Sequence, residues 1–304
     1  MISPPLVETL NDAVVTAARS SFSARGRGDR KGADQLAVSA MRKVLVASSF
    51  GFEVEVGEGE KDEAPILYVG EVLGNFDLSF DLAIDPLAGT NYVAKGQLGA
   101  VSVVACARRG GMRRLPGYYM NKCVVSQRAK GSITLFDPPD VTATKLSETL
   151  AKDRTELIVA ILDKPRHREL IEMVRATGAR VAEVPDGDVV ATFEVLAGAY
   201  DLLLGVGGAP EGVIMAAMAN PLGGEFQGRL SPLSNREREI VLDLDPSCLE
   251  VTFTAADLCT IDVFVALASV TGTSFLAPPR LTDRALVVES VIIYDGEAKV
   301  RTKS

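Results

Sequence analysis

Over residues 7–19, V-E-T-L-N-D-A-V-V-T-A-A-R, alanine, leucine and valine recur at helical spacing, which predicts a helix with one apolar side. A loop of serine, glycine and arginine follows over residues 20–31. A second helical pattern begins after Asp34, with Leu36, Ala40, Met41, Val44 and Leu45 on one side. Asp34 then falls near a helix start, where its carboxylate can cap backbone N–H groups or reach a site from a rigid element. Residues 52–56 alternate as a short strand, the charged run G-E-G-E-K-D-E-A-P occupies residues 57–65, and I-L-Y-V-G-E at 66–71 predicts another strand. Residues 78–84 are apolar around Asp81, so a strand ends near Asp85. Gly89 has the backbone freedom of a tight turn, and Thr90 opens the next helix. Strand-like runs at 100–107 and 132–136 complete a first half of mixed sheet and helix.

The second half alternates more regularly. T-E-L-I-V-A-I-L-D predicts a strand ending in a basic turn, H-R-E-L-I-E-M-V-R-A-T-G a helix with its glycine stop, and A-R-V-A-E-V-P-D-G-D the next strand and turn. Residues 199–205 predict a further strand, and A-P-E-G-V-I-M-A-A-M-A-N a helix entered through Pro210. This is the order of an α/β sheet, and Asp163, Lys164, Arg166, Asp186, Asp188 and Glu211 each follow a strand, where open sheets gather their ligand loops. A boundary between two lobes is expected near residues 138–150. No Walker motif, dinucleotide fingerprint, repeat array or low-complexity tract is present.

Composition narrows the chemistry. With 304 residues, 47% of them hydrophobic, the chain can build one large core or two lobes without staples. It has no long uninterrupted apolar run, and its opening residues lack a basic stretch followed by an apolar one, so neither a membrane partner nor a secretory leader is predicted and the expected location is cytoplasmic. Cys106, Cys123, Cys248 and Cys259 form no CxxC pair and are expected to be buried thiols. The formal charge of -8 disfavours nucleic acid as a partner, leaving local basic patches at residues 25–31 and 163–168. His167 is the only histidine, which excludes a His-rich metal site and gives a catalytic triad or zinc-protease site little support. Any metal must then be held by carboxylates and be a hard ion, magnesium or manganese.

A metal-assisted phosphatase needs acidic ligands, a positioned water and cations for phosphate oxygens. Asp34, Glu58, Asp62, Asp85 and Glu211 can supply the acids, Thr90 can orient water, and Lys164 with Arg166 can receive a distant phosphate. The same residues read blandly are solvated surface acids and a basic turn.

The motifs G-R-G-D-R-K-G-A-D (26–34), G-E-G-E-K-D-E-A-P (57–65), D-P-L-A-G-T (85–90), Y-Y-M-N-K (118–122), D-K-P-R-H (163–167), D-G-D (186–188), G-G-A-P-E-G (207–212) and G-G-E-F-Q-G-R-L (223–230) occur in one order. In that order they make the chain resemble the class II fructose-1,6-bisphosphatases, including bacterial enzymes that also accept sedoheptulose 1,7-bisphosphate, in the lithium-sensitive phosphatase superfamily. The resemblance implies a layered α/β sugar-phosphatase fold of two mixed lobes, residues 1–140 binding metal and 141–304 binding substrate, with the active site between them. It implies Mg2+- or Mn2+-dependent removal of one phosphate from a sugar bisphosphate, and a homo-oligomer. Asp34 and Glu58 would serve one metal, Asp85 and Glu211 the other, and Asp62 and Thr90 would position or activate the attacking water. Tyr119, Lys164, Arg166, Asp186, Asp188 and Gly208 would line the substrate pocket, and Arg30 stands where the family commonly carries lysine.

Two departures stand against this pattern. Ala88 takes a position where most family members have Asp or Glu, so the second metal site is expected to be weakened, completed by water, by substrate phosphate or by another carboxylate such as Asp81. The distal A-S-V-T-G-T-S-F-L-A-P-P-R-L-T-D-R-A replaces the family's A-T-G-x-T-D-G-type segment. A sugar bisphosphate of a specialised pathway is therefore as compatible as fructose 1,6-bisphosphate. The alternative is a catalytically reduced sugar-phosphate-binding or regulatory protein.

Overall fold

The apolar stripe of the first helix extends further than the spacing predicts: α1 runs Pro4–Phe22, entered through proline, and buries Leu6, Leu10, Ala13, Val14, Ala17 and Ala18. The computed structural model describes residues 3–58, 66–75, 77–115, 118–244, 246–283 and 285–304. Asp62 lies outside the described residues. After α1 come α2 (Arg30–Val46), β1 (Gly51–Val56), β2 (Val72–Gly74), β3 (Leu78–Ala88), α3 (Thr90–Lys95), β4 (Val101–Arg108), β5 (Tyr119–Val125), α4 (Pro139–Leu150), β6 (Ile158–Leu162), α5 (Arg168–Ala176) and β7 (Arg180–Val184). The chain continues through α6 (Asp188–Leu196), β8 (Leu202–Gly208), α7 (Ala209–Ala219), β9 (Glu225–Leu230), α8 (Asn235–Leu244), β10 (Phe253–Thr254), α9 (Ala255–Leu258), β11 (Phe264–Ser269), β12 (Arg280–Leu281), β13 (Leu286–Tyr294) and β14 (Glu297–Lys303).

Two units divide the chain, one made of Met1–Arg113 with Cys259–Ser304, the other of Arg114–Leu258. The expected boundary near residue 140 is thus displaced, and residues 138–150 hold α4 instead. The last segment returns to the first unit because β11 pairs with β4 along its whole length, Phe264 opposite Cys106 through Ser269 opposite Val101. In the first unit the sheet order is β12-β13-β11-β4-β3-β1-β2, with β14 on β13. One apolar cluster unites α1, α2 and this sheet, including Leu10 and Met41 from the helices and Phe52, Val104, Ala266 and Ile292 from the strands.

The second unit carries the order β10-β9-β5-β8-β6-β7. Here β6 runs parallel to β7 and β8, while β5 is antiparallel to β8. The carboxyl ends of β6, β7 and β8 therefore lie on the same edge as the start of β5.

Three further expectations are corrected. Helix α2 begins before Asp34: Asp29 is its N-cap, accepting from Gly32 N–H at 2.9 Å, which places Asp34 in the second turn with no capping role. Residues 66–71 form turns rather than a strand, because Leu67 and Gly70 take positive φ (56° and 88°). Residues 132–136 form no strand although Ile133 and Leu135 are buried. Gln227 takes the place of a neighbouring strand, accepting from Leu135 N–H at 2.9 Å and donating to Ile133 carbonyl at 3.1 Å. The strand expected at 199–205 begins at Leu202, and the four cysteines are buried thiols outside any disulfide, as expected.

Candidate active site

Strand direction in the second unit delivers the expected substrate residues to one edge. Lys164 and Arg166 follow β6, Asp186 and Asp188 follow β7, and Gly208 and Glu211 close β8 and open α7; Tyr119 begins β5 directly opposite Gly208. Arg166 donates from Nε (3.0 Å) and Nη2 (2.7 Å) to the Val206 carbonyl, and its guanidinium lies 5.3 Å from the Tyr119 ring centroid. Lys164 Nζ donates to the Pro185 carbonyl at 2.9 Å, which ties the basic turn to the loop after β7.

Beneath this edge sits a cation that the motif analysis did not single out for a role. Lys122, 2% exposed on β5, donates to Asp188 Oδ2 and, at 2.8 Å, to the Gly208 carbonyl. Its signal was present in the sequence, since Lys122 shares the inward face of β5 with Met120 and Val124, and an inward charge demands a partner. Burial pushes the Glu211 carboxyl upward, Asp188 and Asp186 push the same way, and Lys122 opposes them. Glycine makes the crowding possible: a Cβ on Gly207 would stand 2.2 Å from Asp188 Oδ2, and one on Gly208 1.8 Å from Glu211 Oε2.

His167 stands at the N-cap position of α5, but its ring makes no capping hydrogen bond and is turned inward. It is 2% exposed, with Nδ1 2.8 Å from the Leu162 carbonyl and Nε2 accepting from Val206 N–H at 2.8 Å. Burial pushes its imidazole below the usual range, Leu162 opposes, and Arg166 and Lys164 add to the depression.

In the first unit the D-P-L-A-G-T turn is a bulge that runs into a helix. Asp85 pairs with Val103 and Ala88 with Val101, so β3 carries one residue more than β4 over that step. Asp85 Oδ1 accepts from Leu87 N–H at 3.2 Å, Gly89 takes φ 87°, and Thr90 donates to the Leu87 carbonyl at 3.4 Å at the start of α3. Ala88 is buried, 3% exposed. Glu58 follows β1, its N–H donating to the Leu67 carbonyl at 2.9 Å. Asp34 is half-buried without a hydrogen-bond or ion-pair partner among the described residues, and burial raises its carboxyl. Arg30 is exposed at the first position of α2.

Asp81 cannot stand in for the missing carboxylate at position 88. Its Oδ1 accepts from Arg109 Nη1 at 2.6 Å and its Oδ2 from Met112 N–H at 3.2 Å, and Arg109 also pairs with Glu53 and Glu55. Among the described residues, no three Asp, Glu, His or Cys side chains gather as a group that could hold a metal ion.

A family model described as bacterial fructose-1,6-bisphosphatase, glpX-encoded, matches residues 6–304. The chain belongs to this family. A protein named D-fructose 1,6-bisphosphatase class 2/sedoheptulose 1,7-bisphosphatase from Synechococcus sp. (strain JA-3-3Ab) is 39% identical over 240 residues, covering 74% of this chain and 68% of the relative. The protein of that name from Synechococcus sp. (strain CC9902) is 41% identical over 228 residues, with the same two coverages. Among solved structures, the extragenic suppressor protein suhB from Bartonella henselae overlays at a TM-score of 0.36 and 19% identity, over 64% of this chain and 73% of that one. That overlay is too loose to carry an argument about fold or function. Among the described residues of this fructose-1,6-bisphosphatase family member no helix is long and apolar enough to cross a membrane.

Proposed function

We propose that this family member is a divalent-metal-dependent phosphatase that hydrolyses one phosphate monoester of a sugar bisphosphate, either fructose 1,6-bisphosphate, sedoheptulose 1,7-bisphosphate or a longer sugar bisphosphate. The observation that carries it is the convergence of Tyr119, Lys164, Arg166, Asp188 and Glu211 on one sheet edge in a chain of this family. Arg166, its plane set by the Val206 carbonyl and the Tyr119 ring, keeps Nη1 for the oxygens of the retained phosphate, and Lys164 adds a second cation. Asp188 retains Oδ1 for a sugar hydroxyl, since Lys122 takes Oδ2, and Asp186 lies on the same loop. Gly208, lacking a Cβ, leaves the space that the Glu211 carboxylate occupies beside this edge.

Asp34, Glu58, Asp85 and Glu211 are oxygen donors of the kind Mg2+ and Mn2+ take, and the Asp34 carboxylate, without a partner among the described residues, fits that role. When bound, the metal supplies positive charge and Lewis acidity to the reacting phosphate. Thr90, whose hydroxyl donates to the Leu87 carbonyl, and Asp62 would position or activate the attacking water.

A second reading, a sugar-phosphate-binding protein without turnover, is favoured by the buried methyl of Ala88 and by the engagement of Asp81 with Arg109. Phosphate release from a panel of fructose, sedoheptulose and longer-sugar bisphosphates, with Mg2+ or Mn2+, separates the two. Turnover is expected with metal and none with EDTA, and Asp85→Ala or Glu211→Ala is expected to abolish it with the unfolding midpoint kept. Calorimetric binding of a bisphosphate with no release under either metal would select the second reading.

A further inference from the structure

The ladder between β6 and β8 ends at Ala160 opposite Leu203, yet β8 continues to Gly208. Past the end of the ladder, two consecutive side chains of the turn after β6 bind one residue of β8. His167 Nε2 takes the Val206 N–H at 2.8 Å, and Arg166 gives Nε and Nη2 to the Val206 carbonyl at 3.0 and 2.7 Å. The backbone fixes the tautomer: the Leu162 carbonyl only accepts, so Nδ1 carries the proton, and the Val206 amide only donates, so Nε2 presents its lone pair. Gly205 leaves room for the ring, since a Cβ there would stand 3.0 Å from Nε2 and its φ of +132° is one that other residues rarely adopt.

We propose that His167 is a positioning residue for sugar-phosphate binding: as a neutral imidazole it fixes Val206 through the amide, and the Val206 carbonyl in turn aims the guanidinium of Arg166. The inference rests on Arg166 receiving the retained phosphate, as set out above. Protonation would turn Nε2 into a donor facing a donor, so Val206 would lose its acceptor and the platform under Arg166 would loosen. The charged groups acting on the ring are Arg166 and Lys164 of its own turn. Leu162 of β6 presents its carbonyl, and β8 carries no titratable side chain over Leu202–Gly208. From β5, Lys122 lies opposite Gly205 and is neutralised by Asp188, while Arg168 and Glu169, at the start of α5, are exposed. The neutral ring is favoured above its usual range of about 6.5, and that advantage is lost as pH falls through the lower folded value.

Because His167 is the only histidine, its 15N–1H imidazole signals identify themselves without further assignment. An Nδ1–H tautomer and a protonation midpoint below about 6.5 are expected. With Mn2+ present, KM for fructose 1,6-bisphosphate, or for the panel bisphosphate turned over fastest, should rise as pH falls through that midpoint. His167→Asn keeps a donor for Leu162 but loses the acceptor for Val206; it should raise KM about tenfold at pH 8 while kcat stays within about twofold. His167→Gln, whose amide oxygen reaches the Nε2 position, should keep KM within about threefold and lose the acid rise. An unchanged KM in His167→Asn, or an identical acid rise in His167→Gln, would overturn the inference and leave the phosphatase intact. If His167→Asn does not fold, a wild-type KM that fails to follow the imidazole midpoint overturns it equally. Wild-type protein that releases no phosphate from any bisphosphate would overturn the phosphatase reading, and this inference with it.

Discussion

Lys122 shows how a single side chain organises the substrate edge. With 2% of its surface exposed it neutralises Asp188, itself 7% exposed, and satisfies the Gly208 carbonyl. Replacing the ammonium by a methyl thioether of similar reach leaves Asp188 as an uncompensated buried charge. Lys122→Met is therefore expected to lower stability by about 3–5 kcal/mol in urea unfolding, with Asp188→Asn on the same background restoring part of the loss. An unchanged urea midpoint would show that Asp188 does not depend on the pair. The role of Lys122 was half legible: the alternation M-N-K-C-V places it on an inward face, but its partners lie 66 and 86 positions away, Gly208 at the end of the paired strand β8 and Asp188 at the start of α6.

At the level of elements, hydrophobic alternation and hydrogen-bonded strand separate over residues 132–136. Ile133 and Leu135 are buried in the apolar cluster of the second unit, as an alternating run predicts, yet the backbone finds its partner in one amide side chain. Gln227→Leu keeps the bulk and removes both partners, so a loss of about 2–3 kcal/mol is expected, measured by thermal unfolding with faster amide exchange at Leu135. Full protection at that amide in the variant would assign the segment another anchor. The turn at 66–71 follows the same logic. Its apolar residues suggest a strand, but the Glu71 side chain turns back to accept from Leu67 N–H and, at 2.8 Å, from Arg42 Nε, so the local chain curls where composition alone would extend it.

For the molecule as a whole, the discontinuity of the first unit is the main architectural fact. β11 lies between β4 and β13, in the interior of the sheet order. Truncation after Leu258 would expose β4 as an edge and strip the sheet of β11, β12, β13 and β14. Limited proteolysis of that truncated chain should digest residues 3–113 rapidly, and a protease-resistant, cooperatively unfolding fragment there would contradict the sheet order. The formal charge of -8 does not prevent a basic turn from forming, because Lys164 and Arg166 are placed by strand direction rather than by net charge.

The sequence by itself determined the alternation of helix and strand, the family, and which residue types stand at strand ends, because hydrophobic period and turn chemistry are local properties and the motifs keep their order along the chain. Tertiary structure alone decided the pairing. It withdrew Asp81 from the candidate ligands by giving it to Arg109, made His167 a backbone brace, and carried the chain's last strands back to its first unit. Each of these outcomes depends on sheet register, which joins residues far apart in sequence and leaves no periodic trace in it.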